Sequence, residues 1–170
     1  MVSRFLVGMT LLAVMLPGTR ASARRQETEE ELQARIQQER NPVKKAKLEI
    51  RVGRVRLRKA IAAYDGGDVS QGADLLKGYV EQMKSSWQTL QRSGRQAAHQ
   101  SQGFKELDIA LREDSRLLED LAHRISYFNR ASVEKTRQEI EAMRSEVLRA
   151  LFPGVRPRDS EKPRTHPPGL

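Results

Sequence analysis

Between residues 43 and 151, apolar side chains return every three or four positions, the period of one face of an α-helix. Val43, Ala46, Ile50, Gly53, Leu57, Ala60 and Tyr64 form the first stripe. Val69, Ala73, Leu76, Val80, Met83, Trp87 and Leu90 form the second, widened by Leu75 and Tyr79. Phe104, Leu107, Leu111, Leu118, Leu121, Ile125 and Phe128 form the third, with Asp114 at the one position of that repeat that is not apolar. Val133, Thr136, Ile140, Met143, Val147 and Leu151 form the fourth. One window gives a competing signal: Leu48, Ile50 and Val52, then Val55 and Leu57, alternate with charges around Gly53, as in a small hairpin. The helical spacing continues on both sides of that window, so the pattern predicts a helix there.

The links between stripes carry stop and start chemistry. Thr28 followed by Glu31 has the spacing of a capping box and predicts a short polar helix over Glu27–Arg40, whose apolar surface is only Leu32, Ala34 and Ile36. Asn41-Pro42 ends it. Asp65-Gly66-Gly67 ends the next helix, with glycine free to take left-handed geometry, and Asp68 caps the one after it. Asn129 to Ser132 reads as a turn with Ser132 as N-cap, and Pro153 closes the last helix. Residues around 93–103 (SGRQAAHQSQG) read as a loop.

Short turns force neighbouring helices back along one another. The expected fold is therefore all-α: an antiparallel helical bundle of about four long amphipathic helices over residues 43–152, preceded by a polar helix within 24–42. A marginal helix gains most of its stability from burying such a stripe, at about 1.5–3 kcal/mol for each Leu or Ile. The competing arrangement is a long coiled coil that dimerises through the same stripes, so monomer and coiled-coil dimer both stand. The segment Ala60–Leu76 (AIAAYDGGDVSQGADLL) resembles the joint between two helices of a tetratricopeptide repeat. No 34-residue period follows it, so the resemblance implies a helical hairpin and no solenoid.

Both ends differ from this middle. Residues 1–23 read as a secretory signal peptide: Arg4, an apolar run from Phe5 to Leu16, a Pro17-Gly18 break and Ala21-Ser22-Ala23 as cleavage site. That run is too short to cross about 30 Å of hydrocarbon. The expected location is periplasmic or extracellular, with cleavage near Ala23. The last 18 residues hold five prolines and no apolar period, and read as a disordered tail over 153–170.

Charge sharpens the reading. The 170 residues carry 31 Lys and Arg against 22 Asp and Glu, a formal +9, with a pI near 10.2. Removing residues 1–23 leaves 147 residues at +7, since Arg4 and Arg20 leave and no acid does. The whole of that excess equals the charge of one stretch. Lys44, Lys45, Lys47, Arg51, Arg54, Arg56, Arg58 and Lys59 oppose Glu49 alone. These eight residues are the candidate interaction surface, suited to anionic membrane or an envelope polymer. Alternatively they pair internally, because residues 27–40 and 104–121 each carry −3. A basic pI also suits nucleic acid, but export and the lack of aromatic–basic interleaving argue against that partner.

Site chemistry is sparse. Without cysteine there is no disulfide, thiolate zinc site or cysteine nucleophile. His99, His123 and His166 are scattered, so no metal is expected; Asp120 and His123 lie one helical turn apart but fall short of a zinc set. No phosphate loop, serine elbow or paired carboxylate in a shared cleft is apparent, so no catalytic residue, cofactor or small-molecule substrate is expected. Asp114 faces the stripe and is expected to set helix register; a carboxylate there must either protonate or find a partner, which the basic residues of the second helix can supply. Tyr79, Met83 and Trp87 read as core. The expected function is that of an exported, non-enzymatic bundle acting through contacts with a protein partner in the cell envelope.

Overall fold

A computed structural model describes residues 27–154. The signal-peptide reading over 1–23 and the tail beyond Gly154 lie outside the described residues. Within them the chain is all-α, with five α-helices and one 3-10 turn. The helices are α1 (Glu29–Gln38), α2 (Pro42–Asp65), α3 (Val69–Arg92), α4 (Phe104–Arg124) and α5 (Arg130–Leu151), with the 3-10 turn over Tyr127–Asn129.

The helix ends follow from local hydrogen bonding. Thr28 Oγ1 accepts from the Glu31 N–H while the Glu31 carboxylate accepts from the Thr28 N–H, the expected capping box. α1 is shorter than its predicted 14 residues, because Glu39 turns to extended geometry and Asn41 is needed elsewhere. The Asn41 side chain accepts from the N–H groups of Val43 and Lys44, so it starts α2 with Pro42 in the first turn. Asp68 accepts from the Gln71 N–H as expected, and Gly67 supplies a φ of +84° in the preceding turn.

α2 is one continuous helix through Gly53, and the strand-like alternation within it has a different cause. Two sides of α2 are buried. Val43, Ala46, Ile50, Leu57, Ala60 and Tyr64 join the main core, formed with α3, α4 and α5. Leu48 and Val52, flanked by Val55, form a second cluster with Leu32 and Ile36 of α1. At 100° per residue these two sets lie on nearly opposite sides of the helix. Superposed along the sequence, they mimic a period of two. The short polar helix is thus a docked layer covering the back of α2.

α2 and α3 form a close hairpin. Contacts run from Tyr64 with Gly72, through Arg56 with Gly78, to Glu49 with Ser85 and Thr89. α4 and α5 form the second hairpin, marked by Arg144 on Asp108 at 2.9 Å and Ser115 on Glu141 at 3.1 Å. The four long stripes meet inside one chain. Leu76, Met83, Leu90, Leu107, Leu111, Leu118, Leu121 and Ile140 are all fully buried there.

Two expectations at the α4–α5 joint are corrected. Phe128 is not the last member of the third stripe. α4 stops at Arg124, Ile125 and Ser126 take extended backbone, and the helical register is lost before position 128. Phe128 stands 92% exposed. Ser132 is not an N-cap either. α5 begins at Arg130, and the Ser132 hydroxyl lies 2.6 Å from the Tyr64 hydroxyl, joining α5 to α2.

Gly72 is required by this packing. A Cβ placed there would lie 2.6 Å from Tyr64 Cδ2 and 2.7 Å from Cε2, and the ring is tethered through Ser132. An exposed helical Gly→Ala change normally stabilises by about 0.5–1 kcal/mol. Here overpacking reverses the sign, and Gly72→Ala is expected to cost about 1–3 kcal/mol in urea unfolding. Gly53→Ala meets chiefly the flexible Met83 thioether, at 3.0 Å, and is expected to change stability much less.

Candidate functional site: the cations of α2 and two buried acids

Five of the eight cations singled out in the sequence have an acidic partner, and every such partner comes from outside α2. Arg56 Nε lies 2.8 Å from one Glu29 oxygen and Lys59 Nζ 2.9 Å from the other. Arg56 also donates to the Gly78 carbonyl at 3.0 Å. Arg51 reaches Glu27 at 3.3 Å, and Glu27 also pairs with Arg35. Lys47 pairs with Glu106, and Arg54 lies 2.8 Å from Glu113. Lys45 is half-buried and faces Glu49 electrostatically. Lys44 and Arg58 are exposed and have no acidic partner among the described residues. The stretch is therefore largely a set of fasteners, to α1 on one side and α4 on the other. Within 27–154 there are 23 Lys and Arg against 20 Asp and Glu, so most of the chain's +9 lies in its two ends.

Both shielded carboxylates respond to their cations. Burial opposes ionisation of Glu29, but hydrogen bonds from Lys59 and Arg56 outweigh it and hold the carboxyl below its ordinary value. Burial likewise opposes ionisation of Glu106, and Lys47 with the Gly103 N–H outweighs it. The exposed pairs each contribute about 0–1 kcal/mol.

Asp114 has its predicted basic partner on α2. It is 0% exposed. Tyr79 Oη donates to Oδ2 at 3.1 Å, and Arg54 Nε lies 3.2 Å from Oδ1. That second contact is an ion pair without hydrogen-bond alignment, so Oδ1 has no hydrogen bond. One carboxylate thus ties α4 to α3 and α2 together. Burial pushes its pKa up to about 6, with Arg54 and Tyr79 working against the rise and Glu113 adding to it. The Tyr79 hydroxyl is pushed well up in turn by burial and by Asp114.

A second buried acid was not anticipated. Glu49, only 2% exposed, accepts from Ser85 at 3.0 Å and Thr89 at 3.2 Å through Oε1, while Oε2 has no hydrogen-bond partner among the described residues. Burial raises its pKa against those hydrogen bonds and the Lys45 charge. Its spacing carried the clue: Glu49 lies three residues after Ala46 and four before Gly53, at the edge of the inward stripe.

The remaining sequence candidates are separated. His99 and His123 are exposed on different segments, and His166 lies outside the described residues. Among the described residues no group of three or more His, Asp or Glu can hold a metal ion. No helix among them is long and apolar enough to cross a membrane. Tyr79 and Met83 are core, as expected, and Trp87 packs edge-to-face on Phe104. No family model, curated protein or solved structure matches the chain.

The pH response of Asp114 has a definite sign. Its folded pKa lies above the ordinary carboxylate value of 3.8, so the folded state holds a proton that the unfolded chain has released. Stability from this group is present at acidic pH and is lost as pH rises through about 6. Asp114→Asn removes that dependence. In urea unfolding, the stability of the unsubstituted protein relative to the variant is expected to increase by about 1–3 kcal/mol between pH 7 and pH 4.5. A pH-independent difference contradicts the assignment.

Proposed function

We propose that this protein is exported and acts without catalysis, as an antiparallel helical bundle whose surface docks onto another protein of the cell envelope. One observation carries the reading. The turn between α4 and α5 presents Tyr127 at 79% and Phe128 at 92% exposure. Their rings sit edge-to-face with centroids 6.0 Å apart. Aromatic side chains are enriched at protein interfaces because they bury a large area at low entropic cost. Ile109 and Leu117 add exposed apolar surface on α4, the helix that leads into the turn. The leader-like pattern of residues 1–23 supports export. The enclosure of all four stripes within one chain supports a monomer.

The second reading, binding of an anionic membrane or polymer through residues 44–59, rests on Lys44 and Arg58, which have no acidic partner among the described residues. It has weaker support, since five of its eight cations already engage acids of the same chain.

The double substitution Tyr127→Ser, Phe128→Ser separates surface from fold. Both side chains stand in solvent, so unfolding free energy is expected to stay within about 0.5 kcal/mol of the starting protein. Cross-linking in envelopes of producing cells is expected to join the full chain to a specific protein, which a charge-matched control does not capture and the double variant loses. Retention of that adduct by the variant, or no adduct at all, overturns the proposal. Co-sedimentation with anionic vesicles that persists in the double variant and collapses in high salt favours the second reading instead.

A further inference from the structure

The end of α3, the 93–103 connection, the start of α4 and the end of α5 border an open cleft of about 460 Å3. Its floor is the edge of the Trp87 and Phe104 ring pair, 5.9 Å apart at 82° and only 8% and 2% exposed, flanked by Ala97 and the half-buried Ala150. Its polar groups are Arg95 from the connection, with Arg149 and Glu146 from α5 and Gln91 from α3. Glu146 accepts from the Trp87 indole N–H at 3.2 Å.

The two arginines differ from most cations of α2. Neither Arg95 nor Arg149 has an ion-pair partner among the described residues, and Arg95 Nε is buried without any hydrogen bond. A buried donor left unpaired is costly, and a guanidinium offers a fork of N–H groups that matches a carboxylate. An apolar edge beside two guanidinium groups without ion-pair partners suits a ligand that is apolar at one end and anionic at the other, held clear of the Glu146 carboxylate that accepts from Trp87.

We propose that this cleft binds an organic carboxylate, its charged group on Arg95 and Arg149 and its apolar body against the exposed edge of Trp87 and Ala150. The same chemistry is offered by a free aryl acid and by the C-terminal carboxylate of a peptide. Trp87 is the only tryptophan of the chain, so its fluorescence reports occupancy directly.

The full chain is titrated with phenylacetate and with acetyl-Ala-Phe as the free acid, each against its neutral amide. At least one acid is expected to give a saturable change, with its amide about tenfold weaker or silent. Saturation by phenylacetate alone identifies a free acid as the ligand class, and saturation by the peptide alone identifies a chain terminus. Arg95→Met is expected to weaken binding about tenfold with the helical circular dichroism signal unchanged. Amides that bind as well as the acids, or no saturable change with either acid, overturn the proposal without any variant being needed. Unchanged affinity in a folded Arg95→Met protein overturns it as well.

Discussion

Two opposite sides of α2 are apolar, which leaves most of its eight cations on the strips between them, with Lys59 just beyond the line of Leu48, Val52 and Val55. The rest of the architecture answers to that constraint. One side takes α3, α4 and α5 and supplies most of the core. The other side must be covered by something small, and α1 with Leu32 and Ile36 is just wide enough. The cations then emerge along the seams. Arg51 comes out on one flank of the α1 seat and Arg56 on the other, and each finds a glutamate of the N-terminal segment. Lys47 and Arg54 emerge toward α4, where Glu106 and Glu113 meet them. A run of charge that reads as a surface in one dimension is, in three, the mortar between layers.

The buried acids follow a different logic. Asp114 and Glu49 each leave one oxygen without a hydrogen bond, and both are driven toward the neutral form by burial. Apolar residues of similar size would often be no less stabilising at such positions. What the acids add is selectivity of alignment. Tyr79 and Arg54 meet Asp114 only when α2, α3 and α4 are in one register, and Ser85 with Thr89 meets Glu49 only when the α2–α3 hairpin is closed without slippage. Regular stripes of Leu and Val tolerate a one-turn shift, whereas a buried carboxylate does not.

The long helices were legible because their stripes repeat over three heptads and their boundaries carry Asp, Asn and Gly at positions where the backbone needs them. Asp114 was legible for the same reason, as an interruption of a regular pattern. Other features escaped because a sequence shows spacing, not partners. The second face of α2 was visible only as a conflicting period, since the helix that covers it is short and polar. The ion pairs of Arg56 with Glu29 and Arg54 with Glu113 join residues 27 and 59 positions apart, which no local rule connects. Phe128 continued the period of α4, and nothing in its own identity announced the extended residues at 125 and 126. Arg95 lay in a stretch with no period at all, and its surroundings exist only once four separate segments converge.

The seat of α1 has a kinetic consequence. The second cluster shares no residue with the main core, so α1 can lift away without breaching it. A ten-residue helix has little stability of its own, and its hold on α2 is a handful of aliphatic contacts and screened ion pairs. The free energy of that opening is consequently much smaller than that of global unfolding. Amide protons of α1 exchange with solvent through this local event, and those in the facing turns of α2 and α3 await cooperative collapse of the whole molecule. The chain thus carries two packed units of unequal depth, the outer one held by four aliphatic side chains and a few ion pairs that salt weakens.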